Sequence, residues 1–351
     1  MVSADREEEQ RVRPSAWYLS RLDLLGTAVL AATAMWALVA AANRAGQPES
    51  YLLALLTAAG AYVLGRVVGA RAALPVPALV AGAVTGVLVL WPDALDGTAL
   101  APPLEYGNAD GALVAQAVGA ACLAALVVGS DRRRGELLLL AGLLVLATFA
   151  TGSEAAAVGA VAVLSVALSA AVYRRGTVVL VSAVCVAGAV LTTVVLGALG
   201  PRSGGIEDPA EASLSERRIQ LWSDGVHLTK SYPVRGTGPG TFVVHSATAR
   251  SDADVHSAHS MWLRQAAEQG IPGALCLVAV TGWVYVRLWR SPQPPAVVAV
   301  GSVTFTAFLV QASMDYVAEF PVVLVTVGLL LGVASATPDP RSRDRLAREV
   351  R

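Results

Sequence analysis

The chain has 351 residues, 55% of them hydrophobic and 15% charged, with 32 glycines; this is too apolar for a water-soluble domain of its size, and a bilayer is its expected solvent. Its 26 basic residues balance 26 acidic ones, so the charge gives no reason to expect a nucleic-acid partner. Cys122, Cys185 and Cys276 fall in separate apolar runs with no CxxC or His pairing, which argues against both a disulfide framework and a thiolate metal site.

Residues 1–22 are charged and lack a small-residue cleavage site after a short apolar core. They are expected to be a cytoplasmic N-terminal segment, with the first helix acting as the targeting element. Apolar runs follow at 24–43, 51–69, 75–91, 112–129, 137–151, 155–173 and 177–199, then at 271–289, 296–317 and 321–336. At about 20 residues per crossing, they predict an all-α polytopic membrane protein with ten transmembrane helices, seven within 23–200 and three within 271–336. Gly152-Ser153-Glu154 and Ala318-Glu319-Phe320 read as tight turns near a membrane surface.

Arg and Lys favour cytoplasmic loops. One set of alternate segments carries 18 basic residues, from Arg6 through Arg66, Arg132, Arg174 and Arg287 to the tail 337–351, whereas the short loops of the other set carry only Arg44. Both termini are therefore expected inside, and residues 201–270, between helices seven and eight, form one large helical extracytoplasmic loop. The tail, rich in Arg, Asp and Pro, reads as disordered. Heavy use of Ala, Val, Leu, Arg and Gly with a single Lys, Lys230, suggests a GC-rich bacterial genome and hence a bacterial cytoplasmic membrane.

The loop holds all four histidines, His227, His245, His256 and His259, with Lys230 and six arginines. Ser213-Leu-Ser-Glu216 has capping-box spacing and predicts an amphipathic helix over 214–231; its basic face, with Arg217, Arg218 and Lys230, suits lipid phosphates or solvent equally well. In the stretch from Tyr232 to Gly240, Gly236 and Gly238 permit a tight turn and could let backbone amides approach a phosphate. A second helix is expected after Asp254, carrying His256, His259, Trp262 and Arg264 and stopping at Gly270 before Pro272. His256 and His259 stand three apart beside Asp252 and Asp254, but no HExxH or comparable ligand set is present, so no metal is expected. A single histidine beside arginines suits proton transfer next to a bound anion.

The order Arg218-Ile-Gln-Leu-Trp222, Tyr232-Pro-Val-Arg-Gly236-Thr-Gly238-Pro-Gly240, Ala258-His259-Ser260 and Glu268-Gln-Gly270-Ile-Pro-Gly273 resembles the O-antigen ligase family. Looser matches extend it to Tyr106-Gly107-Asn108, Thr151-Gly-Ser153 and Ser313-Met-Asp315 through Pro321. The resemblance implies an enzyme that moves a glycan from a polyprenyl diphosphate carrier to an acceptor hydroxyl on a glycan, lipid or protein at the outer face of the membrane, with inversion and without a cofactor. Arg218 is the implied stabiliser of the diphosphate charge, with Arg217, Arg235 and Arg264 as further candidates; His259 is the implied base. The chain departs from the family pattern in Ser260, where an Asn is usual, and in Glu154, where an Arg is usual. A polysaccharide polymerase would share the donor chemistry. A transporter would need ionisable groups in mid-span; Asp315 and Glu319 instead fall near the outer surface, where they would line an external cavity. A non-catalytic scaffold is the remaining class.

Overall fold

A computed structural model describes residues 20–91, 106–169, 174–201, 209–252, 255 and 257–338, the side chains of 209–215 excepted. The N-terminal segment before Ser20, Asp254, His256, the Ser213 side chain and the tail from 339 lie outside the described residues. In chain order the helices are α1 (Arg21–Ala41), α2 (Pro48–Arg71), α3 (Pro75–Leu90), α4 (Gly107–Val127), α5 (Asp131–Ala150), α6 (Glu154–Leu168), α7 (Arg175–Leu199), α8 (Pro209–Ser231), the short α9 (Phe242–His245) and α10 (Ala247–Arg250), α11 (Met261–Trp289), α12 (Pro295–Met314) and α13 (Pro321–Ala334).

Each of the ten apolar runs coincides with one of these helices. Six of the helices, α1, α2, α4, α7, α11 and α12, are long and apolar enough to cross a membrane. The others fall short for visible reasons: α3, α6 and α13 have 16, 15 and 14 residues, and α5 spends its first turns on Asp131, Arg132 to Arg134 and Glu136. The expected stop at Gly270 is instead a kink. Gly270 has φ +71°, and helical structure resumes directly beyond it, so α11 joins the loop to the bundle without a linker.

Local sequence sets many of the ends. Ser20 and Asp23 form a reciprocal capping box at α1, and proline occupies the first turn of α2, α3, α12 and α13, where its missing N–H costs nothing. Packing relies on small residues that let helix backbones touch. A Cβ at Gly65 would lie 2.2 Å from the Leu329 carbonyl oxygen and one at Gly332 would lie 2.3 Å from that of Tyr62, so α2 and α13 are in backbone contact. α4 is the central helix, buried from Ala109 to Ala125.

Hydrogen bonds define two ends of the bundle. At one, Trp283 donates to the Leu22 carbonyl at 2.8 Å, Arg287 to that of Ser335 at 2.9 Å and Arg175 to that of Ser291 at 2.9 Å. At the other, Gln47 N–H donates to the Pro239 carbonyl at 2.7 Å, Arg44 to that of Gly236 at 2.6 Å, and Gln311 to Ser153 Oγ at 3.1 Å. This second end carries α8, α9 and α10, and is called the loop end below.

Candidate active site at the loop end of the bundle

Four segments distant in sequence converge on the carboxylate of Asp315. α12 stops at this residue, whose backbone is extended (φ −154°, ψ 172°), and its side chain is buried. Tyr106, the residue before α4, donates its phenol to the carboxylate at 2.8 Å. Asn108 donates to Oδ2 at 2.6 Å and Tyr316 N–H to Oδ1 at 2.6 Å. From α8, Arg218 Nη2 reaches Oδ2 at 3.1 Å.

His259 completes the group. Its Nδ1 stands 3.7 Å from Asp315 Oδ1, too long for a hydrogen bond, though such contacts in ligand-free active sites commonly tighten when substrate binds. The ring is held by its backbone: His259 has φ +47°, a left-handed conformation that His tolerates better than most residues. Trp222 Nε1 donates to the His259 carbonyl at 2.9 Å. The next residue, Ser260, caps α11 by accepting the Leu263 N–H at 3.4 Å. Ser and Asn are comparable N-caps, so the Ser260 departure preserves the local job of that position. The second departure, Glu154, is exposed in the first turn of α6, where an acid suits the helix dipole. Its neighbour Ser153 is the one that faces inward, bonded to Gln311.

An aromatic shelf lies under this cluster. Tyr106 stacks on Tyr316 at 4.5 Å between ring centroids, Tyr316 on Phe320 at 5.8 Å, and the His259 ring meets Tyr316 edge-on at 4.8 Å. Burial, reinforced by the Asp315 charge, raises the Tyr106 phenol above its ordinary range and pushes Tyr316 up to about 12. Both phenols therefore stay protonated at neutral pH, and Tyr106 remains a donor to the carboxylate.

The other arginines singled out in the sequence are placed elsewhere. Arg264 is held between Glu268, at 3.2 Å, and Glu319, so two carboxylates already match its charge. Ser257 also donates to Glu319. Arg217 pairs with Asp252. Arg235 donates to the Val39 and Ala42 carbonyls at the end of α1.

The glycine turn is occupied by the fold as well. The Gly236 N–H donates to the Tyr232 carbonyl at 3.0 Å and the Gly238 N–H to that of Glu268 at 2.8 Å, so these two amides point into the protein rather than toward a ligand. The Glu268 carboxylate, in turn, accepts the Gly240 and Phe242 N–H groups at 2.8 and 3.0 Å. Of the residues singled out for chemistry, the structure brings together His259 and Arg218, and the group that joins them, Asp315, came from the periphery of the sequence pattern. Tyr106, Asn108 and Tyr316 stood in that periphery too, though none of them was singled out for chemistry. Among the described residues, no three His, Cys, Asp or Glu side chains are placed to share a metal ion.

Residues 137–278 match the family model described as O-Antigen ligase. The matched stretch contains Arg218 and His259 and ends before Asp315. No curated protein matches the chain.

Proposed function

We propose, from the match of residues 137–278 to the O-antigen ligase family model, that the protein is a membrane glycosyltransferase that passes a glycan from a polyprenyl diphosphate carrier to an acceptor hydroxyl. The observation that carries this reading is the convergence of Arg218 and His259 on the buried Asp315 carboxylate. A cation, a base and a fixed carboxylate are what this substitution needs. All ten apolar helices then cross the bilayer, with the three short ones near the lower limit for a span. The basic end of the bundle faces the cytoplasm, which puts the loop end and its site on the outer face.

The acceptor oxygen attacks the anomeric carbon as its bond to the carrier phosphate breaks. The bonding electrons leave on the diphosphate, whose added charge the Arg218 guanidinium stabilises. His259 takes the acceptor proton through Nε2, with Asp315 orienting Nδ1–H and stabilising the imidazolium that forms. Attack opposite the leaving group inverts the anomeric centre. The Arg218 side chain is 38% exposed, so it can meet a phosphate without giving up a buried position. The ionisable cluster lies at an end of the bundle, where a surface reaction would use it, and not in mid-span, where a transporter would.

The test is transfer in proteoliposomes loaded with the polyprenyl diphosphate glycan pool of the source cell, with and without chelator, comparing the intact protein with correctly folded His259→Ala and Arg218→Ala. The expected result is transfer that survives chelation and collapses in both variants. Equal transfer by the variants and the intact protein would overturn the assignment. The product separates the two acceptor classes, since a polymerase would lengthen the lipid-linked glycan itself.

A further inference from the structure

Beyond the Asp315 cluster, the loop contains a second set of chemistry-bearing side chains. The last turns of α8 and the short helices α9 and α10 enclose an open cavity of about 320 Å³, lined among others by Asp224, His227, Ser231, Tyr232, His245 and Arg250. This is at the small end of ligand-sized cavities, which run from ~300 Å³ upward. It is separate from the reaction centre. His227 lies nine residues beyond Arg218 on the same helix, about 14 Å further along the axis and half a turn around it.

The polar groups here are braced. Asp224 Oδ2 accepts the Ser246 hydroxyl at 2.5 Å and the Thr248 N–H at 2.9 Å, fixing the carboxylate against the start of α10. His245 Nδ1 stands 3.0 Å from the Thr241 carbonyl, a contact that puts the proton on Nδ1 and leaves Nε2 as an acceptor. Arg250 Nε donates to the Ser246 carbonyl at 3.4 Å, and Arg250 forms no ion pair among the described residues. Tyr232, 48% exposed as a residue, adds the apolar face of its ring beside these donors and acceptors.

We propose that this cavity is a subsite for a neutral sugar segment, holding the glycan away from its reacting end; the proposal rests on the glycosyl-transfer reading above. The chemistry selects a polyol over other small ligands. Each sugar hydroxyl both donates and accepts, and the lining supplies both kinds of partner, with a half-exposed aromatic for the apolar face of the ring. A phosphate or carboxylate would be drawn by Arg250 and opposed by the Asp224 charge, so the lining offers an anion no net attraction. A metal ion would need three converging ligands, and no such group exists among the described residues. A weak distal contact of this kind raises the effective concentration of a long glycan at the site without demanding tight binding at either end.

The experiment uses the full chain in nanodiscs and the oligosaccharides released by mild acid from the source cell's polyprenyl carriers, separated into neutral and acidic fractions. Binding is read by saturation-transfer NMR for the intact protein, for Asp315→Asn, for the double variant His227→Ala/Arg250→Ala and for Tyr232→Leu. All four replaced cavity and site positions are checked by thermal midpoint. The neutral fraction is expected to bind the intact protein and Asp315→Asn equally, and at least tenfold more weakly to the double variant and to Tyr232→Leu. Binding of the acidic fraction alone, no binding to the intact protein, or undiminished binding to both cavity variants would overturn the proposal. If transfer fails while this binding pattern holds, the glycosyl-transfer reading falls and the sugar site stands. If transfer succeeds without the pattern, only the sugar site falls.

Discussion

At the residue scale, Asp315 is the side chain on which the rest of the site depends. Asp315→Asn keeps the shape, but it removes the charge that faces Arg218 and the His259 ring and turns an amide NH2 toward either Asn108 or the Tyr316 N–H, both at 2.6 Å. Transfer is expected to fall by about 10²- to 10⁴-fold, the usual contribution of a positioned acid–base group, with the protein still eluting as a folded species; near-normal turnover would show that His259 acts without it. The phenols around this carboxylate make a separate prediction about pH. Tyr106 and Tyr316 have raised pKa values in the folded protein, so above about pH 10 the folded chain retains protons that the unfolded chain gives up. Stability supplied by these groups is full below that pH and falls as pH rises, the share of Tyr316 being lost as pH passes about 12. Thermal midpoints measured from pH 9 to 11.5 should decline more steeply for the intact protein than for Tyr316→Phe. Parallel curves would contradict the shift.

At the scale of elements, the glycine turn and the kink in α11 are two halves of one joint. Gly236 (φ +62°) and Gly270 (φ +71°) adopt left-handed backbone conformations, and the chain packs at both without room for a side chain: a Cβ on Gly236 would lie 2.2 Å from the Glu268 carbonyl carbon, and one on Gly270 would lie 2.3 Å from the Val234 carbonyl oxygen. Backbone, not a flexible side chain, blocks each position. Ile271 N–H donates to the Pro233 carbonyl at 2.8 Å across the same joint, and Trp36 of α1 donates to the Gln269 carbonyl at 2.9 Å, so carbonyls and amides freed by the kink find partners. Gly270→Ala is expected to cost roughly 1–3 kcal/mol in strain alone, more with the clash, and to open the segment 232–240 to limited proteolysis while the membrane helices stay intact. Unchanged cleavage would mean that the joint can relax around a methyl group. The sequence pattern was enough to predict a turn and a helix end here, because glycine spacing reports backbone conformation directly. It could not show that each glycine exists to fit the other, since that depends on contact between segments some thirty residues apart. The same blindness hid the carbonyl partners of Arg235 at the end of α1 and the Glu319 partner of Arg264 beside the final helix; the other partner of Arg264, Glu268, stands four residues on in the same helix.

At the scale of the whole molecule, the six helices long and apolar enough to cross a membrane were legible because bilayer thickness sets the length of such a run, whereas the order in which helices touch was not. α13 packs most extensively on α2, far away in sequence, and the end of the bundle opposite the site is tied by charge. Asp23 of α1 pairs with Arg66 of α2 and lies 3.6 Å from Arg287 of α11; Arg287 also donates to the Ser335 carbonyl just after α13. One buried carboxylate therefore holds two guanidinium groups and, through them, four helices. Asp23→Asn leaves both cations without their counter-charge. Because Arg287 is only 5% exposed, the loss should approach the ~3–5 kcal/mol typical of breaking a buried ion pair, read as a lower thermal midpoint of the full chain in nanodiscs. Asp23 and Asp315 sit at opposite ends of the bundle, so the two substitutions should separate cleanly. Asp23→Asn should lower the midpoint while transfer per folded molecule persists at low temperature, whereas Asp315→Asn should remove most transfer per folded molecule whatever it does to the midpoint. If Asp23→Asn instead abolishes transfer without touching the midpoint, the carboxylate at the basic end belongs to the chemistry and not to the scaffold.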